Sequence, residues 1–227
     1  MGILTNDLQE DAKKENKKTE GSSQDLMHVP TGYDSVDVYG GTVSFSDEGE
    51  TLLNYGLPLG KLTLFVGNSQ GGKTTLSIQI ADNIASQLDG DVVLADFERG
   101  TVDHQSRITT ICGITAEDYK SRWTILRNPN MSTEYFKKFI FKIAEMKKKL
   151  TTKQMVDWQD LRGNNVKIYP PTIVILDSIP AMKPDEVLAS ADLDNNMIGG
   201  KMAAANSNML TSITQVMETY NITLFAI

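Results

Sequence analysis

The chain has 227 residues, a formal net charge of −7 and 40% hydrophobic residues, so it can form one sizeable core but not two large domains with separate sheets. No apolar run approaches the roughly 20 residues that span a bilayer, and no secretory signal is evident, so we expect a cytoplasmic protein without a membrane partner. The single Cys112 excludes an internal disulfide. The acidic balance argues against a generic polyanion binder but not against a local DNA-binding groove.

Residues 1–28 form a polar segment that we predict to be an arm outside the core. The segment is rich in charge, and large apolar residues are scarce after Leu8. Such a composition buries too little surface to offset the entropy lost on ordering. Two interpretations stay open, a disordered tail or a polymerisation arm that docks on a neighbouring subunit. We predict one core over residues 29–227.

Within this core, short β-rich runs alternate with helical ones, which is typical of a mostly parallel sheet flanked by helices and predicts the α/β fold class. The predicted strands are Leu62–Val66, Val92–Phe97, Trp123–Leu126, Ile173–Leu176 and Ile222–Ile227. The predicted helices are Lys73–Gln87, Thr101–Cys112, Thr133–Leu150 and Gly199–Tyr220. The stretch around Trp158 is interpreted as an insertion before the fourth strand.

Three further features have plain structural interpretations. The lysines at 147–149 lie at the carboxyl end of the third predicted helix, where cations complement the helix dipole, so we expect a solvated helix terminus. Cys112 is interpreted as a small core residue. The last strand is expected to form an exposed edge of the sheet.

Residues 67–74 match the pattern G-x-x-x-x-G-K-[ST] without a mismatch, between an apolar strand and an amphipathic helix. Glycines in such a loop let backbone N–H groups converge on the β- and γ-phosphates, and the following helix presents its positive end. Lys73 adds a charge against the phosphate oxygens, and the Thr74 hydroxyl can ligate Mg²⁺. The predicted nucleotide-binding residues are Gly67, Asn68, Ser69, Gln70, Gly71, Gly72, Lys73, Thr74 and Thr75.

Two predicted strands end in carboxylates. Asp177 follows the run "TIVIL", so it emerges at the carboxyl edge of a buried strand and is our predicted second metal residue beside Thr74. "VVLADFERG" ends the strand after the phosphate-loop helix, and alternation would set Asp96 and Glu98 on one face. Glu98 lies farther towards the loop and is the predicted general base. A surface pair of Glu98 with Arg99 is the alternative.

Together these segments resemble the RecA family of recombinases, in particular its phage-encoded UvsX-like members. The resemblance runs from Val29 to Ile227. It rests on the stretches "VPTGYDSVDVYGG", "GLPLGKLTLFVGNSQGGKTTL", "LADFERGTVDH", "VILDSIPAMKP" and "DNNMIGGKMAAANSNMLTSITQVMETYNITLFAI".

The resemblance implies a RecA-like P-loop NTPase core with ATP and Mg²⁺ as cofactors, and a DNA-dependent ATPase in which Glu98 and Lys73 are catalytic. It further implies a homo-oligomeric filament on single-stranded DNA that promotes homologous pairing and strand exchange in recombination and repair. The loop between Pro180 and Lys201 would face the DNA, with Met197 and Lys201 as contacts. A phage origin would set the protein in the cytoplasm of a bacterial host.

The resemblance also implies segments beyond "ITLFAI", among them a second DNA-binding loop and basic residues that reach a neighbour's ATP. We therefore expect the chain to lack the carboxyl-terminal part of such a recombinase, and whether a separate part completes it stays open. Two other functions also stay open. One is a RecA-superfamily helicase or RadA-like ATPase, and the other is a nucleotide-binding fragment without turnover.

Overall fold

The computed structural model describes residues 27–46, 48–100, 103–127, 131–160, 164–189 and 195–227, with the side chains of 195–197 left aside. The helices are α1 (Asp34–Gly40), α2 (Lys73–Gln87), α3 (His104–Cys112), α4 (Ala116–Arg122), α5 (Thr133–Lys147), α6 (Asp185–Ala189) and α7 (Asn195–Thr219). The strands are β1 (His28–Val29), β2 (Thr42–Phe45), β3 (Thr51–Asn54), β4 (Leu57–Pro58), β5 (Leu62–Leu64), β6 (Asp91–Asp96), β7 (Trp123–Leu126), β8 (Val156–Gln159), β9 (Asn165–Ile168), β10 (Thr172–Asp177) and β11 (Ile222–Ala226). Residues 1–26 of the predicted arm lie outside the described residues.

A five-stranded parallel sheet in the order β5-β11-β10-β6-β7 forms the centre of the molecule. The predicted α/β class with a parallel sheet is thereby confirmed. The expectation that the last strand forms an edge is wrong, because β11 lies between β5 and β10, and the edges of the described sheet are β5 and β7. In a parallel sheet, the crossover connections and not chain order decide which strands are neighbours.

Both faces of the inner strands of this sheet are buried, and β10 shows it most clearly. Its side chains alternate between two core clusters, with Ile173 and Ile175 on one side and Val174 and Leu176 on the other, all fully buried. Helices α2 and α3 cover the first face, and α5 and α7 cover the second. Each such aliphatic side chain contributes roughly 1.5–3 kcal/mol on burial, so the sheet is held from both sides.

The predicted elements of this sheet agree with the structure to within a few residues. Helix Lys73–Gln87 and strand Trp123–Leu126 are confirmed at their predicted bounds. Helix α3 begins at His104 because the Asp103 side chain accepts a hydrogen bond from the Ser106 N–H and caps the helix. Residues 101 and 102 of the predicted helix lie outside the described residues.

Antiparallel pairs that the sequence did not predict flank the main sheet. Strand β2 pairs with β3, β1 with β4, and β8 with β9. The predicted insertion around Trp158 is the β8–β9 hairpin, and Val156, Trp158 and Val166 pack against the core from it. This insertion therefore contributes to the core.

Lys147 corrects the prediction of a solvated helix terminus. Its side chain is 6% exposed and its ammonium donates to the carbonyls of Pro170 (2.5 Å) and Asn221 (3.1 Å). Burial lowers the pKa of Lys147 to about 7, although Asp91 opposes the shift. Lys148 and Lys149 are exposed, as predicted. The three lysines look alike in the sequence. Only Lys147, at the end of α5, reaches the carbonyls that precede β10 and β11.

Cys112 is partly buried and packs against the core, in agreement with its interpretation. Burial raises the pKa of its thiol to about 12. Among the helices of the described ranges, none has the length and apolar character needed to cross a lipid bilayer.

Candidate functional site

The register of the sheet brings four chain segments to one edge. Leu64 pairs with Ala226 and Asp177 with Asp96, so the parallel strands end at similar heights. The glycine-rich loop (residues 67–74) follows β5, Asp177 ends β10, and Glu98 lies two residues beyond the end of β6. Residues distant in sequence thus meet at the carboxyl edge, where open α/β sheets bind ligands.

The glycine-rich loop curls around the side chain of its own lysine. Lys73 Nζ donates to the carbonyl oxygens of Gly67 and Asn68, both at 2.9 Å. Gly72 has a φ of +82° and forms the N-cap of α2, so a side chain there would impose a strained backbone. Gly72 offers no capping side chain to the first N–H groups of α2, which suits an anionic ligand at this helix end.

Thr74 and Asp177 are in direct contact. The Thr74 hydroxyl donates to Asp177 Oδ2 at 3.0 Å. Burial raises the pKa of Asp177, and the carboxylates of Glu98 and Asp96 add to the shift, whereas the Thr74 hydrogen bond and Arg107 oppose it. The site therefore concentrates negative charge that a bound cation would offset.

Glu98 is joined to the end of β10 through both its backbone and its side chain. Its N–H donates to the carbonyl of Asp177 at 3.1 Å, and the neighbouring Phe97 N–H donates to the same oxygen at 2.7 Å. The Ser178 hydroxyl donates to Glu98 Oε1 at 2.6 Å. Hydrogen bonds thus join the segments that carry the two predicted acidic residues, Glu98 and Asp177.

Asp96 occupies a different environment from Glu98. Strand β6 ends at Asp96, so the alternation invoked for the pair does not continue to Glu98. Asp96 is buried, accepts a hydrogen bond from the Arg99 N–H at 2.7 Å, and lies 3.1 Å from His104 Nε2 and 3.7 Å from Arg127 Nε. It stabilises the turn that carries Glu98, and it is not part of the cavity wall.

These groups surround one cavity of about 660 Å³, a volume typical of small-molecule sites. The predicted residues Glu98, Lys73, Thr74 and Asp177 all line it. The other lining residues are Leu64, Phe65, Val66, Gly67, Ser69, Gln70, Gly71, Gly72, Thr75, Arg107, Ser178, Ile179, Pro180 and Ile227. Asn68 is absent from this wall and contributes its carbonyl to Lys73 instead.

Sequence reasoning missed two polar residues of the wall, Arg107 and Ser178. Ser178 carried a weak signal, because it follows Asp177 directly at the end of an apolar strand. Arg107 belongs to no motif, and it reaches the cavity because α3 begins beside the turn after β6. Its guanidinium is a second cation in the wall besides Lys73.

The fit of Mg²⁺ can be tested on the donor atoms of this wall. No group of three or more His, Cys, Asp or Glu side chains in the described ranges could hold a metal ion by itself. The Thr74 hydroxyl and the Asp177 carboxylate are hard oxygen donors, and Mg²⁺ is commonly bound by one or two protein groups together with phosphates and water. The residues present therefore fit a magnesium ion that arrives with a phosphate ligand.

The prediction of a loop up to Lys201 is wrong for residues 195–201, because α7 begins at Asn195. Lys201 is not among the residues that line the cavity. Lys201 lies on α7 and forms an ion pair with Glu186 of α6. The side chain of Met197 lies outside the described residues, as do residues 190–194 of the predicted DNA-facing loop. The structure therefore leaves both contacts as predictions.

No family model matches the sequence, and no curated protein matches it either. A function for this cavity must therefore be argued from its geometry and chemistry.

Proposed function

We propose that this chain is an ATP-dependent recombinase of the RecA type, a DNA-dependent ATPase that forms filaments on single-stranded DNA and promotes homologous pairing and strand exchange. The observation that carries the proposal is the convergence of Lys73, Thr74, Asp177 and Glu98 on one cavity at the carboxyl edge of a parallel sheet. A phosphate-binding loop, a hard metal-ligand pair and a nearby carboxylate are the parts that nucleotide hydrolysis requires.

The glycine-rich loop would bind the triphosphate. Its backbone N–H groups and the amino end of α2 attract the phosphate oxygens. The Lys73 ammonium donates to two carbonyl oxygens of the loop at 2.9 Å. When a triphosphate binds, the ammonium would instead donate to charged phosphate oxygens, which are stronger acceptors. Arg107 of α3 adds a second positive charge to the cavity wall.

Thr74 and Asp177 would hold Mg²⁺, which neutralises charge on the β- and γ-phosphates when bound. The two residues already contact each other at 3.0 Å. The raised pKa of Asp177 and its neighbouring carboxylates supports a site that gains from a cation.

Glu98 would act as the general base. Its carboxylate accepts a proton from a water molecule, whose oxygen then attacks the γ-phosphorus while the bond to the β-phosphate oxygen breaks and ADP leaves. Glu98 lines the same cavity as Lys73 and is held by the backbone of Asp177. The recombinase part of the proposal, with its DNA and filament partners, rests on the sequence resemblance.

The test is ATP hydrolysis with and without single-stranded DNA, in the wild type and in Glu98→Gln. We expect DNA-stimulated turnover that falls by about 10²–10⁴-fold in Glu98→Gln, with ATP binding retained. Glu145→Gln is the matched control, because Glu145 is exposed on α5 and should leave turnover unchanged.

The other results separate the alternatives. ATP binding without turnover would favour the alternative of a nucleotide-binding fragment that does not hydrolyse ATP. Turnover with ring-shaped particles in electron micrographs, in place of helical filaments, would favour the helicase or RadA-like ATPase.

A further inference from the structure

The contact between Ser178 and Glu98 goes beyond the motif residues of the site. Ser178 Oγ donates to Glu98 Oε1 at 2.6 Å, a short charge-assisted hydrogen bond. Ser178 is 4% exposed, whereas Glu98 borders the open cavity. The buried Ser178 hydroxyl therefore donates to a Glu98 carboxylate that lies at the cavity.

The donor itself is held rigidly. The residue before Ser178 is Asp177, whose carbonyl accepts the N–H groups of Phe97 and Glu98. The residue after it, Ile179, donates its N–H to the Ile227 carbonyl at 2.8 Å, and the Ser178 carbonyl accepts the Ala181 N–H at 3.1 Å. The hydroxyl thus projects from backbone that is hydrogen-bonded on both sides.

The orientation of Glu98 depends on such a restraint. Glu98 lies in the turn after β6, and the hydrogen bond from its N–H to the Asp177 carbonyl restrains its backbone but not the rotamer of its side chain. A glutamate has several rotamers of similar energy, and a base must lie within hydrogen-bond reach of the proton that it accepts.

We propose that Ser178 is the positioning residue of Glu98: its hydroxyl occupies Oε1 and thereby directs Oε2 towards the attacking water, which gives its proton to that oxygen. The inference rests on the proposed hydrolysis. In this scheme two adjacent residues have different tasks: Asp177 holds the metal ion and Ser178 orients the general base. Ser178 touches neither substrate nor metal in this scheme.

The test is steady-state ATP hydrolysis by the full chain with single-stranded DNA, comparing Ser178→Ala, Ser178→Thr, Glu98→Gln and the Glu98→Gln/Ser178→Ala double variant. We expect Ser178→Ala to lower kcat by about 10- to 100-fold, because a misplaced base loses much of its effect, with the KM for ATP changed less than about threefold. Ser178→Thr keeps the hydroxyl and should restore most of kcat. In the Glu98→Gln background, Ser178→Ala should change the residual rate by less than about twofold.

A matched control separates positioning from general destabilisation. Ser132 is also buried, it caps α5 by accepting the Tyr135 N–H at 3.0 Å, and it is not among the residues that line the cavity. Ser132→Ala should lower the melting temperature and leave kcat unchanged. Melting curves of every variant show that it is folded.

The outcomes distinguish the two proposals. If Glu98→Gln abolishes turnover but Ser178→Ala keeps more than half of the wild-type kcat, the positioning role is wrong and the hydrolytic function stands. The same conclusion follows if the two substitutions multiply in the double variant. If Glu98→Gln hydrolyses ATP like the wild type, or the wild type binds ATP without turnover, both proposals are rejected.

Discussion

The two ends of the central strands bury polar groups in opposite ways. At the amino ends, the Lys147 ammonium binds the carbonyls of Pro170 and Asn221, and the Lys147 and Asn221 residues are buried. At the carboxyl ends, Asp177 and Glu98 meet beside an open cavity, and burial, with a smaller contribution from neighbouring carboxylates, raises the pKa of Asp177.

This difference shows that a buried cation bonded to backbone carbonyls and carboxylates gathered beside a cavity have different roles. A buried donor that bonds to backbone carbonyls stabilises the fold, because leaving those carbonyls unpaired costs free energy. Carboxylates gathered beside a cavity cost free energy until a cation or proton joins them. We therefore expect variants at the amino ends to change stability, and variants at the carboxyl ends to change ligand binding and turnover.

The largest effect on stability is expected for Lys147→Ala. It leaves the Pro170 carbonyl without its ammonium donor and opens a cavity, so the free energy of unfolding should fall by about 2–4 kcal/mol in urea titrations. Lys148→Ala is the control, because Lys148 is exposed and should change stability by less than about 0.5 kcal/mol. Equal effects of the two variants would contradict the structural role of Lys147.

The next effect concerns Lys73 at the opposite end. Mg²⁺ and ATP at about 100 times the dissociation constant should stabilise the wild type by about 2.7 kcal/mol, measured as a rise in melting temperature. Lys73→Ala should lose most of this rise because the phosphates lose a charged partner. Lys142→Ala, on the exposed side of α5, should keep it. A full ligand-induced rise in Lys73→Ala would show that ATP binds elsewhere.

The pH dependence of stability sharpens the contrast. The folded-state pKa of Lys147 is about 7, below its ordinary 10.5, so the unfolded chain binds an extra proton between these values. The contribution of Lys147 to the free energy of unfolding should therefore rise between about pH 7 and 10.5, by at most about 1.4 kcal/mol per pH unit. The difference between wild type and Lys147→Met, measured by urea unfolding at several pH values, reports it. A difference that stays constant over this window would show that Lys147 does not titrate there.

The smallest effect on stability is expected for Lys201→Ala. Lys201 pairs with Glu186 near the surface, so the loss should be below about 0.5 kcal/mol. If Lys201 binds DNA phosphate, its removal should weaken single-stranded DNA binding a few-fold and reduce the salt dependence by about one counterion. Lys138→Ala is the control from the exposed surface of α5. Identical salt dependences for both variants would remove Lys201 from the DNA interface.

Local sequence predicted the elements of the main sheet well. Helix Lys73–Gln87 begins after a glycine and carries apolar residues at helical spacing, and β10 is a continuous apolar run, so burial and local preference agree. The hairpins β2–β3 and β8–β9 escaped prediction, because short strands with many exposed residues are held by cross-strand pairing, which a local pattern does not report.

In the candidate site too, residues of one continuous motif were predicted from the sequence, and residues brought in by packing were not. Gly67 to Thr74 were identified from their spacing, since one continuous loop forms that part. Arg107 was not, because no local pattern indicates which face of α3 will meet the cavity. Lys147 was misinterpreted because three adjacent lysines look alike until the direction of each side chain is known.

The sequence by itself determined the glycine-rich loop, the apolar strands with Asp177 and Glu98 near their carboxyl ends, and the α/β class, because these follow from residue types and short-range periodicity. Tertiary structure alone decided that β11 lies inside the sheet, that Lys147 is buried, and that Ser178 contacts Glu98. Each of these depends on which distant segments become neighbours, and strand order and packing determine that only once the whole core has formed.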